Sequence, residues 1–271
     1  MKRKTPAAPY IAWMLLFTII PLGIVFYFTF TEQGTGNFTL ANLESILDYT
    51  PIFLRSIWLS VAATLLCLLI GYPVAYCIAQ CRPRTQSILQ MLIMLPMCMS
   101  FLLRTLAWVA ILEDTGIINN LLLSLGITPL PLIRNGGAVI LGMVYNYLPY
   151  MILPLYTSIM KINPRLIEAA EDLGCNKSQV LRRVTLPLSL PGITSGITMV
   201  FVPAVSTFYI SQKLGSPGTV MVGDIIESQL KGAYNPNLGA AMSLILMILI
   251  FICVGISNRF TKYDDTEGSL S

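Results

Sequence analysis

The sequence predicts an all-α membrane protein with six transmembrane helices, and three observations carry that reading. Of its 271 residues, 55% are hydrophobic and only 11% are charged, with a mean hydropathy of +0.73. A soluble domain carries about 25% charged residues. Uncharged intervals recur six times at about the ~20 residues that a helix needs to cross a bilayer. Lysine and arginine are shared unequally between the connections. An open segment in lipid satisfies its own backbone only as a helix, so each interval reads as α.

The first interval holds 27 residues between Lys4 and Glu32 and predicts a span over 11–30. It follows Lys2-Arg3-Lys4, yet its apolar region is too long for a signal peptide and no small-residue cleavage site closes it. It therefore reads as an uncleaved anchor. The next intervals hold 26 residues between Arg55 and Arg82, 19 between Arg84 and Arg104, and 26 between Arg134 and Lys161. They predict spans over 57–79, 88–111 and 138–159, the second of these continuing past Arg104. The last two hold 29 residues between Arg183 and Lys213 and 27 between Lys231 and Arg259, predicting spans over 194–212 and 239–257. One transmembrane domain, 1–263, is expected, with a polar and disordered tail over 264–271.

With the N-terminus inside, the inner segments hold twelve lysines and arginines, whereas the outer loops hold only Arg55, Arg134, Lys213 and Lys231. That bias places both termini in the cytoplasm. The outer loops carry seven acids, Glu32, Glu44, Asp48, Glu113, Asp114, Asp224 and Glu227, for a net charge of −3. Such a face suits a cationic solute or a positively charged docking surface.

Several functions are disfavoured. The chain contains no histidine, and its six cysteines show no CxxC or zinc-like spacing. It has no GxxxxGK[ST] nucleotide loop and no GxSxG elbow. No catalytic residue, metal site or cofactor is expected, and any ATP hydrolysis must come from a partner.

One stretch stands apart, a polar and basic interruption over 161–190. Pro164 suits the first turn of a helix; Glu168, Glu171 and Asp172 come early and Lys177, Arg182 and Arg183 late, the charge order a helix dipole favours. Gly174 breaks the helix, and Pro187 and Pro191 mark re-entry into an apolar segment. The result is a helix–Gly–helix hook on the cytoplasmic surface. Within the apolar runs Arg104 is the one charge, and it either snorkels to the outer interface or has a structural or gating role. Pro203 predicts a kink in the fifth span. Beyond it Phe208, Tyr209, Ser211 and Gln212 combine aromatic faces with polar groups, which suits either an amine ligand or an interfacial belt. A similar patch, Tyr145, Asn146, Tyr147, Pro149 and Tyr150, predicts another kink in the fourth span.

The hook resembles the EAA loop of ABC-importer membrane subunits: Glu168, Ala169 and Ala170, three residues to Gly174, then nine to Val184-Thr185-Leu186-Pro187. From end to end the chain is similar to the B-type membrane subunit of spermidine/putrescine importers. The likeness runs through Gly71 to Tyr76, Leu103-Arg104, Gly116 to Asn119, Leu125-Gly126, Leu148 to Met151 and Phe208 to Ser211. It implies a type I ABC importer permease fold, a prokaryotic cytoplasmic membrane, and a coupling role for Glu168, Ala169, Ala170, Gly174, Leu186 and Pro187. It also implies a second related permease, two ATPase subunits carrying ATP and magnesium, and an extracytoplasmic solute-binding protein, with no nucleic acid. Arg104, Phe208, Tyr209, Ser211, Asp224 and Glu227 are the candidates for a substrate path. Where similar permeases carry an acid after the serine, this chain has Gln212 and Lys213, leaving Asp224 and Glu227 as the nearer acids. Permeases for iron, anions or phosphonates share the scaffold. A self-contained secondary transporter would instead show inverted repeats and intramembrane charges.

Overall fold

The computed structural model describes residues 8–231 and 235–267, with side chains over 13–231 and 235–257. Lys2, Arg3, Lys4 and residues 268–271 lie outside the described residues. Helix α1 (Ala8–Thr29) ends in a turn at whose base Thr31 and Phe38 form an isolated bridge. Gly34 and Gly36 hold that turn with φ of 93° and 68°. A short α2 (Ala41–Glu44) and a 3₁₀ turn lead into α3 (Thr50–Ala79). Four helices follow, α4 (Pro83–Met94), α5 (Phe101–Leu112), α6 (Ile117–Ser124) and α7 (Gly136–Met160). The hook contains α8 (Pro164–Asp172), α9 (Lys177–Val180) and α10 (Leu186–Leu188). The chain closes with α11 (Leu190–Val205), α12 (Tyr209–Leu214), α13 (Val222–Lys231) and α14 (Pro236–Glu267). No strand occurs among the described residues.

Three continuous helical runs, Ala41–Ala79, Gly136–Met160 and Pro236–Ser257, are long and apolar enough to cross a membrane. Two intervals that read as single spans are broken. In the third, Pro96 follows α4 in a 3₁₀ turn, and Met99 and Ser100 extend at ψ of 149° and 131°. The two halves consequently bend by 88°. The bend falls at the extended Met99-Ser100 pair, just after the 3₁₀ turn that holds Pro96. In the fifth, α11 stops at Val205, two residues after Pro203, and the chain restarts as α12 at Tyr209. What reads as a kink is therefore a helix end. A further bend of 66° at Ser189 separates the hook from α11, between Pro187 and Pro191. By contrast, α7 stays one helix through Pro149 and Pro154, and the segment 264–267 continues α14.

The core lies where α3, α7 and α11 pack on one another. Ala63, Cys67 and Ala75 from α3, Met143, Met151 and Leu155 from α7, and Val200 and Ala204 from α11 are wholly buried. Small residues allow that approach, as is usual between helices in lipid. A Cβ on Gly196 would lie 2.6 Å from Met151 Sδ, and one on Gly192 would strike Ser158 and lie 2.8 Å from the Pro154 carbonyl oxygen. A second cluster joins Ile46, Phe53, Phe201, Val205, Val222 and Met242. Away from the core, α3 turns Leu54, Trp58, Leu65 and Leu69 outward and α1 exposes Trp13 through Ile20 almost without pause. In water that much exposed apolar surface would be costly; against lipid tails it is the ordinary outer surface.

Gly192→Val should cost about 1–3 kcal/mol through overpacking against a backbone carbonyl, read as a lower thermal midpoint in detergent. Gly23→Val is the control, since nothing lies within 4 Å of a Cβ there; it should leave the midpoint within error.

Candidate functional site

The hook is held by its own backbone. Asn163 caps α8, its side chain accepting from the Arg165 N–H at 3.1 Å, and Pro164 fills the first helical position. At the other end Gly174 takes φ +86°, a left-handed conformation in which a Cβ is strained. Its N–H donates to Glu171 O at 2.9 Å, and that of Cys175 to Ala170 O at 3.0 Å. These paired bonds form a Schellman closure. Asn176 and Gln179 then open α9 with a reciprocal capping box, at 2.8 and 2.9 Å, and a π turn over Leu181–Thr185 carries the chain to Leu186 and Pro187 in α10.

The acids do not sit where a helix dipole would favour them. Arg165 occupies the first turn of α8, while Glu171 and Asp172 occupy its last. The early-acid, late-base order fails at the start of the hook, where Arg165 precedes Glu168, and within α8 it has no late bases because Gly174 ends that helix before Lys177, Arg182 and Arg183. The faces of α8 differ. Ile167 turns inward to a cavity shared with Tyr76, Ala79, Ile159 and Val180. Leu166, Ala169 and Leu173 lie on one exposed stripe, as i, i+3 and i+7 positions must, and Leu173 is 87% exposed. Glu168 is exposed beside them, Ala170 is half-buried, and nothing lies within 4 Å of a Cβ built on Gly174.

The second candidate region forms where α12 meets α13. Gly223 packs onto the chain break after α11, close enough that a Cβ would lie 2.5 Å from the Thr207 carbonyl oxygen. Asp224, 8% exposed, accepts from Ser211 Oγ at 2.9 Å through one carboxylate oxygen and from the Met221 N–H at 2.7 Å through the other. The adjacent Val222 N–H donates to Ser56 Oγ on α3 at 2.8 Å. Burial pushes the Asp224 carboxyl up from 3.8 to about 6; the Met221 and Ser211 donors oppose that rise, and Glu227 adds to it. Glu227 accepts from the Gln212 amide and pairs with Lys231 Nζ at 3.1 Å. Those two contacts hold its carboxyl below the usual range. Phe208 is exposed and Tyr209 half-buried; Lys213 Nζ lies 5.9 Å from the Tyr209 ring centroid, and the Phe101 ring 6.2 Å away on its α5 side.

Arg104 stands on α5, one turn beyond Phe101. The break at Met99-Ser100 puts it in the first turn of a new helix rather than at the end of a long one. It does not snorkel to the surface of the chain. It is 8% exposed, and its Nε and Nη1 have no hydrogen-bond partner. Thus Ser211 on α12 meets Asp224 on α13, and Gln212 meets Glu227, whereas Tyr209 lies against Phe101 of α5 and Phe208, just before α12, is exposed; Arg104 stands on α5, which packs against α12. Ser56 escapes a search for charges, although a lone serine in an apolar run is visible in the sequence; Gln212, which that search does single out, donates to Glu227.

Because the fold holds the Asp224 proton above its ordinary value, stability should fall as pH rises from about 4 to about 6 and level off beyond. Asp224→Asn should flatten that slope, measured as the pH dependence of the thermal midpoint relative to the unsubstituted protein.

Comparison with known proteins places this geometry. Residues 68–262 match the family described as binding-protein-dependent transport system inner membrane component. The chain is 35% identical to the spermidine/putrescine transport system permease protein PotB of Haemophilus influenzae, over 96% of this chain and 94% of that one. With the protein of the same name from Escherichia coli it shares 34%, over 89% and 90%. A solved bacterial ABC transporter that imports the acidic polysaccharide alginate superposes with a TM-score of 0.74 at 19% identity, over 94% and 93%. At that identity the likeness speaks for the fold, which is that of an ABC importer permease. The chain belongs to the family of inner membrane components of binding-protein-dependent transport systems.

Proposed function

We propose that this chain is one of two membrane subunits of an ATP-driven importer for spermidine, putrescine or a closely related polyamine. The observation that carries the substrate is its identity of about one third, from end to end, with spermidine/putrescine permeases. The net charge of −3 on its outer loops agrees with it, because an acidic surface concentrates a polycation. In this reading α1, α3, the bent α4–α6 segment, α7, the bent α9–α11 segment and α14 make six crossings with both termini cytoplasmic. A related permease completes the path, a solute-binding protein delivers the polyamine to the outer face, and two ATPases dock beneath.

The chain contributes no hydrolytic group; ATP and magnesium belong to the ATPases. Its own part is mechanical. The stripe Leu166, Ala169, Leu173 is apolar, exposed and carried on a helix capped at one end by the Asn163 side chain and closed at the other by backbone bonds, so it can enter a groove without losing its shape. Gly174 leaves open space beside it, and Glu168, Ala170, Leu186 and Pro187 complete the coupling surface. Closure of the ATPases would drive α8 against the ends of α3 and α7, and the tightly packed α3–α7–α11 core would pass that displacement outward to α12 and α13. There Phe208, Tyr209, Ser211 and Glu227 border the path, with Asp224 holding α13 in place and Arg104 behind α12.

Labelled spermidine uptake into vesicles holding the complete transporter should require ATP and be competed by putrescine but not by sulfate. Uptake of another solute in place of spermidine would overturn the substrate, and uptake without ATP would overturn the importer class. Gly174→Asp should abolish uptake while leaving membrane insertion intact, since it adds strain and a charge at the docking edge; normal uptake would remove the hook from the mechanism.

A further inference from the structure

The hook joins the helices of the core at one sharp turn. Its last helical run, Lys177–Leu188, meets Leu190–Val205 at a bend of 66°, and Ser189 sits fully buried at the corner. Pro187 and Pro191 flank it and donate no N–H, so the backbone ladder is thinned through the turn. Side chains hold the angle instead. The single hydroxyl proton of Ser189 goes to the Leu186 carbonyl at 3.0 Å. In the 3.0 Å contact between Tyr72 and Ser189 the donor is therefore the tyrosine, since a hydroxyl has one proton to give. Tyr72 lies on α3 beside Gly71, whose close fit against Met151 anchors that helix in the core. Two hydrogen bonds in series thus run from the core to the end of the hook.

On its own side the hook has slack. A cavity of about 410 Å³ separates α8 and α9 from the ends of α3 and α7, lined by Tyr76, Ala79, Ile159, Ile167 and Val180. The π turn over Leu181–Thr185 is a geometry that recurs at functional sites. Here it leaves Thr185, 1% exposed, with an Oγ1 that has no partner.

We propose that the Tyr72–Ser189 hydrogen bond is a latch that sets the hinge between the hook and α11 and keeps the hook off the bundle until the ATPases close. The inference rests on the coupling role of the hook and adds the residue that regulates it. Closing the cavity moves α8 toward α3 and α7, which swings Lys177–Leu188 about Ser189 and draws its hydroxyl away from Tyr72. One hydrogen bond resists that swing, enough to shift a two-state balance about two- to ten-fold. Tyr72 is a positioning residue, because it acts on the hook only through Ser189.

The test measures ATP hydrolysis and labelled spermidine uptake by the assembled transporter in proteoliposomes, with and without the solute-binding protein. Tyr72→Phe keeps the ring and removes only the hydroxyl. It should raise hydrolysis without the solute-binding protein about two- to ten-fold and lower the uptake per ATP consumed. Ser189→Ala breaks the same bond from the other side and should act alike, and the two together should do no more than Ser189→Ala alone. Tyr156→Phe deletes a tyrosine hydrogen bond of equal length, to Gln86 Oε1 at 3.0 Å, away from the hinge, and should leave that basal rate unchanged. A basal rate within error of the unsubstituted complex in both hinge variants, a parallel fall in hydrolysis and uptake, or an equal rise in Tyr156→Phe overturns the latch. Normal uptake by Gly174→Asp overturns instead the coupling role on which it rests.

Discussion

Everything at the two ends of this molecule depends on the close contact of α3, α7 and α11. Glycines at 192 and 196 let α11 lie against α7 so tightly that an added methyl would meet Ser158, Met151 or the Pro154 carbonyl. Gly71 does the same for α3, where a Cβ would lie 3.1 Å from Met151. A core of this kind has little room to deform, so displacement at one end is transmitted rather than absorbed. Helix α7, at 25 residues, is about 38 Å long and runs unbroken from its cap at Asn135 to the start of the hook. Tyr72 on α3 meets Ser189 at 3.0 Å, at the bend between hook and α11. These links tie the hook to the same packed core against which α12 lies.

The ends themselves are positioned by buried polar pins as well as by the second apolar cluster. Asp224 and Ser56 hold the first turn of α13 against α12 and α3. Asn119, fully buried, donates to the Leu130 carbonyl at 3.0 Å and accepts from the Leu130 N–H at 3.0 Å, fixing the loop after α6. Asn237 donates to carbonyls of Phe28 and Thr31 and so docks α14 on the end of α1. A buried polar group is costly when unpaired and specific when paired, so each of these residues selects one arrangement among those the apolar surfaces would allow. Arg104 stands apart as the one charged exception among the described residues, with two buried guanidinium nitrogens unpartnered; the buried Ser60 Oγ, Asn146 Oδ1 and Thr185 Oγ1 also lack a partner.

Much of this was legible in the sequence, for physical reasons that can be named. Charge-free intervals report helices in lipid because backbone groups have no other partner there, and Gly174 marked the end of α8 because glycine takes the left-handed turn that closes a helix without the strain of a Cβ. The failures have equally definite causes. Hydropathy averages over Pro96, Met99 and Ser100, so a bend of 88° passes as one span. The end of α11 was hidden because Pro203 signals a lost hydrogen bond without saying whether the helix resumes. Asp224 read as a loop acid because its partner Ser211 on α12, and the Ser56 hydroxyl on α3 that takes the neighbouring Val222 N–H, come near it only when three helices are assembled. No spacing in the chain encodes that meeting.

The account stands most directly on the exposed stripe of α8 entering the ATPase. A cysteine at Leu173, in the otherwise complete transporter, should crosslink to cysteines placed in the groove of the partner ATPase, with a yield that changes between the nucleotide-free and ATP-bound states. Locking that crosslink should stop uptake. Absence of any crosslink from position 173 to the ATPase, in a complex that still transports, would contradict the account.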